Sequence, residues 1–314
     1  MSDTPPPHEL VLALARRLRT VVLPQLGAAA GRLELAAGAG GDLTFSIDEL
    51  AERELEAFIG QHAPQLAFYS EDRGLVTSGG DETHVLIVDP IDGTRPAMAG
   101  LESACVAVAL APLGDGEPTM ADLQVGCVME IKHGEWFLAR RGEGLLATRP
   151  TQLSANTRIE SMLWAYGFRG RPARATVEVL AELIDGSSVG GGCFELGSQA
   201  FAMTRIASGQ LDAVVEVGSR MIDEVPGMLE AFREVGRGAV LNNSPYDLAA
   251  PWLCLTEAGG VVSDGWGEPL DQRPLLGGGH AFQMSSICAA NADLHRLLVA
   301  AIDAGIARLQ AQCR

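Results

Sequence analysis

The chain has 314 residues and a formal net charge of -17 at pH 7, and 47% of its residues are hydrophobic. This composition is typical of a folded protein with a large core and excludes a disordered chain. The acidic charge argues against a nucleic acid or an anionic membrane surface as a partner, so an anionic substrate would need local arginines or metal ions.

The amino-terminal sequence MSDTPPPHEL lacks a basic stretch followed by an apolar one. No apolar run reaches the roughly 18 residues of a membrane span. The six cysteines form no CxxC pair and mostly lie in apolar runs, which is typical of reduced, buried thiols. These features predict a cytoplasmic protein.

Two amphipathic helices open the first half of the chain. The first is HELVLALARRLRTVVLPQL, which we expect to end near Pro24. The second begins at SIDELAERELEAFIG, where Ser46 and Glu49 have the spacing of a capping box and Asp48 falls in the first turn. Alternating or continuous apolar runs then predict the strands LAFYS, HVLIVD, SACVAVALA, VGCVMEI and WFLARR.

Helices and short strands alternate in the second half. The predicted helices are ATVEVLAELID, SQAFAMTRIASG, YDLAAPWLCLTEAGG and a terminal helix from Ala292, and the predicted strands are LDAVVEV and MSSICAAN. The change in pattern suggests a boundary near residues 145 to 155. We expect an α+β metal-binding half over residues 1–150 and an α/β substrate-side half over residues 151–314, packed as one functional unit.

The stretch VDPIDGT places Asp89 and Asp92 at either end of a Pro-Ile turn, before Gly93 and Thr94. Two carboxylates at a strand end, followed by backbone N–H groups, could hold divalent cations and cradle a phosphate. An ordinary turn explains the same residues equally well. Four further acids, taken singly, are more typical of helix caps or the protein surface: Asp48, Glu71, Asp72 and Asp247.

Two motifs together resemble the inositol monophosphatase-like family of Mg²⁺-dependent, lithium-sensitive phosphatases. VDPIDGT is similar to the first signature of that family, and YDLAAPWLCLTEAGG is similar to the second. Weaker similarities are GDLTFSID, the paired acids of YSED, the ARRGEGLL hairpin exit and GSQAFAMTRIASGQLDAVVE. The resemblance covers nearly the whole chain and implies a layered α-β-α-β-α sandwich of the inositol monophosphatase/fructose-1,6-bisphosphatase type.

The resemblance also implies the roles of the site residues. Glu71, Asp89 and the Ile91 carbonyl would hold one Mg²⁺, and Asp89, Asp92 and Asp247 would hold a second, with a third ion near Glu71. Oxygen ligands without histidine or cysteine suit Mg²⁺. The expected catalytic residues are Asp48, Glu71 and Thr94, of which Asp48 and Thr94 would orient the attacking water. Gly93 and Thr94 are expected to bind phosphate, and the residues expected to contact the substrate are Gly197, Ser198 and Glu216.

Ser198 could equally be a helix cap. Three departures from the family separate this chain from a typical inositol monophosphatase: Arg95-Pro96-Ala97 after Thr94, Tyr246 in place of a tryptophan, and a long segment between Glu216 and Asp247. We expect residues 220–238 of that segment to form a helical lid or a dimer contact. Four arginines could bind a second anionic group, although each one alone is more typical of the surface: Arg95, Arg169, Arg171 and Arg220.

The predicted function is Mg²⁺-dependent hydrolysis of a small phosphorylated polyol or sugar by a homodimer. Inositol monophosphate is the first expected substrate, and fructose 1,6-bisphosphate is the second. Histidinol phosphate and nucleotide phosphates are further alternatives. A member of the family that binds metal or phosphate without catalysis is the alternative from another class of protein.

Overall fold

The computed structural model describes residues 5–37, 43–80, 82–114 and 116–313. Within these ranges the chain forms nine α-helices and fourteen β-strands. The helices are α1 (Pro7–Val22), α2 (Ser46–His62), α3 (Thr94–Ala99), α4 (Ala173–Gly186), α5 (Gln199–Ala207), α6 (Gly218–Glu224), α7 (Met228–Val235), α8 (Pro245–Glu257) and α9 (Ala292–Gln312). The strands are β1 (Glu34–Ala37), β2 (Leu43–Phe45), β3 (Ala67–Ser70), β4 (Gly74–Val76), β5 (His84–Asp92), β6 (Cys105–Pro112), β7 (Val125–Glu130), β8 (Trp136–Arg140), β9 (Gly144–Ala147), β10 (Leu163–Tyr166), β11 (Gly192–Phe194), β12 (Ala213–Glu216), β13 (Val261–Ser263) and β14 (Ser286–Ala289).

Two mixed sheets form the centre of the fold. The seven-stranded sheet has the order β4-β3-β5-β6-β7-β8-β9 and is antiparallel except where β3 pairs with β5. The five-stranded sheet has the order β11-β10-β12-β14-β13, with β12 parallel to β10 and antiparallel to β14. A separate two-stranded sheet joins β1 to β2.

Helices cover both sheets and lie between them. α1 and α2 pack on one face of the seven-stranded sheet, and α8 packs on its other face. α5 packs against both α8 and β12, so the pair fills the space between the sheets. α9 covers β14 and packs against α4. This α-β-α-β-α order confirms the predicted fold class.

The predicted helices and strands are found, but the start of α2 differs from the prediction. Phe45, not Ser46, occupies the N-cap position, and its backbone N–H donates to Asp48 Oδ2 at 2.9 Å. Glu49 instead forms ion pairs with Arg53 and Arg73. The predicted Ser46–Glu49 capping box is therefore wrong, because the carboxylate one residue earlier reaches the cap. The Gly41–Asp42 start of the GDLTFSID stretch lies outside the described residues.

The boundary near residues 145 to 155 stays a prediction. The seven-stranded sheet ends at Ala147 and the five-stranded sheet begins at Leu163. However, α8 belongs to the second half of the chain and packs on five strands of the first sheet, from β5 to β9. Among the described helices, none is both long and apolar enough to cross a bilayer.

The long segment between Glu216 and Asp247 folds as α6 and α7. Phe232 of α7 is fully buried in the core beneath the five-stranded sheet. Arg220 is also buried, and its guanidinium pairs with Glu224 and Asp303. The surface interpretation of Arg220 is therefore wrong, and a dimer contact through this segment stays a prediction.

Candidate active site

A β-bulge explains how one strand presents two carboxylates to the same side. Asp89 of β5 lies opposite Ala107 of β6, and Asp92 lies opposite Cys105, so three steps along β5 match two along β6. In a regular strand these two aspartates would point to opposite faces of the sheet. The extra residue returns Asp92 to the face of Asp89. That face looks toward α5 and α8, because Cys105 and Ala107 belong to the core cluster shared with those helices.

A third carboxylate comes from the start of α8. Asp247 lies in the first helical turn, where its Oδ2 accepts a hydrogen bond from the Ser244 backbone N–H at 2.6 Å. One carboxylate oxygen from each of Asp89, Asp92 and Asp247 lies within 4.8 Å of the others. The structure thus brings together residues that are up to 158 positions apart in the sequence.

Asp48 and Thr94 form a second polar unit beside these carboxylates. The Thr94 Oγ1 lies 3.0 Å from Asp48 Oδ1 and 3.3 Å from the Ile91 carbonyl oxygen, which are both acceptors for its proton. The other oxygen of Asp48 accepts from Phe45 at the N-cap of α2. Asp48 therefore holds the helix start and the threonine in one fixed arrangement.

Burial and mutual repulsion raise the pKa values of the clustered carboxyl groups. Burial is the largest cause in every case. It raises the pKa of Asp48 to about 6 and that of Asp92 to about 6. Burial and the neighbouring Asp92 raise the pKa of Asp247 to about 7. The pKa values of Glu71 and Asp89 lie well above their usual range, since each also faces other carboxylates.

The clustered carboxylates line a cavity of about 570 Å³. Its lining includes Glu71, Asp89, Asp92 and Asp247, together with the Gly93–Thr94 turn. Two cationic side chains, Arg95 and Arg169, line the same cavity. Arg169 is exposed to solvent, and its guanidinium stays protonated at neutral pH.

The predicted substrate contacts fall in two places. Gly197 lines the main cavity. Ser198 is the N-cap of α5, where its Oγ accepts from the Phe201 N–H and donates to Asp92 Oδ2 at 2.8 Å. Glu216 lies in a smaller adjoining pocket, ion-paired with Arg171 at 2.9 Å. Whether any of these residues contacts a substrate stays a prediction.

Glu52 was not predicted from the sequence as a residue of the site. Glu52 accepts hydrogen bonds from the Ser70 hydroxyl at 2.8 Å and the Asp72 N–H at 3.2 Å, on either side of Glu71. It lies four residues after Asp48, on the same face of α2. The four-residue spacing from Asp48 was the feature of the sequence that could have indicated Glu52 as a site residue. The buried pair of Arg171 with Glu216 also corrects the surface interpretation of Arg171.

The donor set fits Mg²⁺. Asp89, Asp92 and Asp247 supply only oxygen ligands, which this cation prefers. Each aspartate keeps one oxygen in a hydrogen bond to the protein, so the ligands are held in place. A divalent cation would offset the repulsion that raises their pKa values. Glu71 lines the same cavity and could hold a further ion.

Comparison with known proteins gives consistent matches over most of the chain. The model of the inositol monophosphatase family matches residues 10–307. A fructose-1,6-bisphosphatase/inositol-1-monophosphatase of Methanothermobacter thermautotrophicus is 26% identical over 303 residues, which cover 94% of this chain and 95% of that protein. A Nus factor SuhB of Xylella fastidiosa is 28% identical over 254 residues, which cover 74% of this chain and 86% of that protein. The solved structure of an inositol monophosphatase from Anabaena (Nostoc) sp. PCC 7120 aligns with a TM-score of 0.66 and 21% identity, covering 94% of both chains.

Proposed function

The chain belongs to the inositol monophosphatase family, and from this premise we propose that it is a Mg²⁺-dependent phosphomonoesterase. The observation that carries the proposal is the convergence of Asp89, Asp92 and Asp247 in a cavity that is also lined by Thr94, whose hydroxyl donates to Asp48. The proposed substrate is a small phosphorylated polyol or sugar, with inositol monophosphate as the first candidate. Fructose 1,6-bisphosphate is the alternative substrate.

The residues of the cavity would divide the work of hydrolysis. The backbone N–H groups of Gly93 and Thr94 would bind phosphate oxygens, and the charges of Arg95 and Arg169 would attract the dianion. Glu71, Asp89, Asp92 and Asp247, with the Ile91 carbonyl, would hold two or three Mg²⁺ ions. When bound, these ions would neutralise the phosphate charge and acidify the attacking water.

The Asp48–Thr94 pair would orient that water and accept its proton. A water that donates to Thr94 Oγ1 can release its proton along the existing 3.0 Å hydrogen bond to Asp48 Oδ1. Burial raises the pKa of Asp48 to about 6, close to neutral pH, where a general base is most effective. Replacing Thr94 by alanine would break this path without removing a carboxylate.

The alternative from another class is a protein that binds metal or phosphate without catalysis. It has support from relatives named Nus factor SuhB, a name that does not describe a phosphatase. The intact Asp48–Thr94 pair favours the enzyme, because a binding protein has no need of a water-orienting pair. We further propose that its partner is a small phosphorylated substrate and that the protein is a homodimer in the cytoplasm.

Phosphate release from a substrate panel tests the proposal. The panel contains inositol 1-phosphate, fructose 1,6-bisphosphate, histidinol phosphate and adenosine 3′,5′-bisphosphate, with Mg²⁺ or EDTA. We expect Mg²⁺-dependent turnover that Thr94→Ala reduces by about 100-fold or more while phosphate binding is retained. Phosphate binding without turnover in the wild-type protein would favour the non-catalytic alternative.

A further inference from the structure

A small inner pocket of about 90 Å³ adjoins the main cavity. Asp92, Arg169, Gly197 and Asp247 line both spaces, so the two lie next to each other. The volume corresponds to about three water molecules or the same number of hydroxyl groups. One ligand could therefore place a phosphate in the main cavity and another of its groups in the inner pocket.

Buried polar atoms without a partner line the inner pocket. In the described part of the chain, these are both amide atoms of Asn242, the Nδ2 of Asn243 and the Oε2 of Glu216. All three residues are at least 91% buried, with exposed fractions of 6%, 9% and 4%. Leaving a buried polar group without a hydrogen-bond partner destabilises the protein, so either water or a ligand must satisfy these atoms.

The backbone around the two asparagines is fixed. The Asn243 carbonyl accepts from the Met284 N–H at 2.8 Å, and the Gln283 amide donates to the Val240 carbonyl at 2.7 Å. These bonds anchor the return of the segment that contains α6 and α7. Among the described residues that line the main cavity or the inner pocket, none falls within residues 220–238. The lid role expected of residues 220–238 stays a prediction.

The unpaired atoms are a mixture of donors and acceptors. Asn242 and Asn243 offer amide N–H donors, whereas Asn242 Oδ1 and Glu216 Oε2 are acceptors. The charge of Glu216 is offset by Arg171, and its Oε1 accepts from the Gly218 N–H at 2.7 Å. Hydroxyl groups can both donate and accept, so they satisfy this set. A phosphate dianion only accepts, and it would leave both acceptor oxygens unpaired beside two further aspartates.

We propose that Asn242 and Asn243 are specificity-determining residues that bind hydroxyl groups on the alcohol portion of a monophosphate substrate. This inference rests on the proposed phosphatase function. It assigns a role to the end of the long segment, between α7 and α8. The inner pocket selects a hydroxylated leaving group and discriminates against a second phosphate at that position.

The test compares kcat/KM for three probes: inositol 1-phosphate, cyclohexyl phosphate, which lacks the ring hydroxyls, and fructose 1,6-bisphosphate. The variants are Asn242→Leu and Asn243→Leu, which keep the size of the side chain. Ser219→Ala is the matched control, because Ser219 Oγ is also a buried atom without a partner but does not line the pocket. A milder Asn242→Ser variant is included in case the leucine variant does not fold.

We expect the ratio of kcat/KM for inositol 1-phosphate over cyclohexyl phosphate to fall about tenfold or more in the asparagine variants, mainly through KM, and to stay constant in Ser219→Ala. An unchanged ratio would mean that the pocket holds only water and would overturn the inference. Preference of the wild-type protein for fructose 1,6-bisphosphate would also overturn it. Absence of turnover on all probes would instead refute the proposed function.

Discussion

Replacement of Glu52 by glutamine should make the metal-free protein more stable at alkaline pH. Glu52 is 1% exposed, and burial raises the pKa of its carboxyl group from 4.5 to about 7. Both of its oxygens accept hydrogen bonds, from Ser70 and Asp72. A glutamine can keep both contacts, because its amide can donate to the Ser70 hydroxyl, and it carries no charge to bury.

The pKa of Glu52 is higher in the folded protein than in the unfolded chain, and this difference sets the direction in which stability changes with pH. Below about pH 4.5 the carboxyl group is protonated in both the folded and the unfolded state, so it adds no pH dependence. Between about pH 4.5 and 7 the folded protein keeps a proton that the unfolded chain has lost, and the free energy of unfolding falls as pH rises. Above about pH 7 the full penalty remains. At 1.36 kcal/mol per pKa unit, the penalty gained between pH 5 and pH 8 is about 2–3 kcal/mol.

The assay is urea denaturation with EDTA at pH 5 and pH 8. The free energy of unfolding of Glu52→Gln, relative to the wild-type protein, should increase by about 2–3 kcal/mol from pH 5 to pH 8. The exposed Glu117, as Glu117→Gln, is the control and should show no such change. Equal pH dependence in Glu52→Gln and the wild-type protein would refute the reasoning.

Three further outcomes are expected. Gly93→Ala should destabilise the protein by about 1–3 kcal/mol in urea and abolish phosphate release, because Gly93 has φ 95° and a Cβ would lie 2.6 Å from the Ser103 carbonyl oxygen. Ser198→Ala should cost about 1 kcal/mol in the same assay, since the N-cap of α5 is lost, and normal stability would contradict that cap. Mg²⁺ at a hundred times its Kd should stabilise the wild-type protein by about 2.7 kcal/mol in thermal denaturation, and Asp247→Asn should remove most of this gain; equal gains would refute its role as a ligand.

Most of the secondary structure and part of the candidate site could be predicted from the sequence. The apolar periodicities predicted the main helices and strands. The resemblance of VDPIDGT and YDLAAPWLCLTEAGG to the family signatures indicated three of the carboxylates that line the cavity, Asp89, Asp92 and Asp247. Spacing alone could not show that Asp89 and Asp92 face the same side, because this depends on a bulge against β6. The predicted capping box of α2 was wrong for a related reason. Asp48 accepts hydrogen bonds both from the Phe45 N–H at the N-cap and from the distant Thr94 hydroxyl.

Contacts between segments that are far apart in the chain could not be predicted from local sequence patterns. Arg171 and Glu216 are 45 positions apart, and nothing in either local sequence indicates that they form a buried pair. Asn242 and Asn243 lie in a segment that is longer than the family pattern leads one to expect, and hydrogen bonds from Gln283 and Met284 fix the backbone around them. Such residues depend on tertiary packing, and in this site they surround the part of the pocket that would select the substrate.

Phosphate release by wild-type protein and Asp89→Asn, each with Mg²⁺ and with EDTA, tests the central claim most directly. Asp89 is one of the three clustered aspartates and lines the cavity. We predict Mg²⁺-dependent release from a polyol monophosphate by the wild-type protein and none above background by the folded variant. Turnover that persists in EDTA, or that survives Asp89→Asn, would contradict the account.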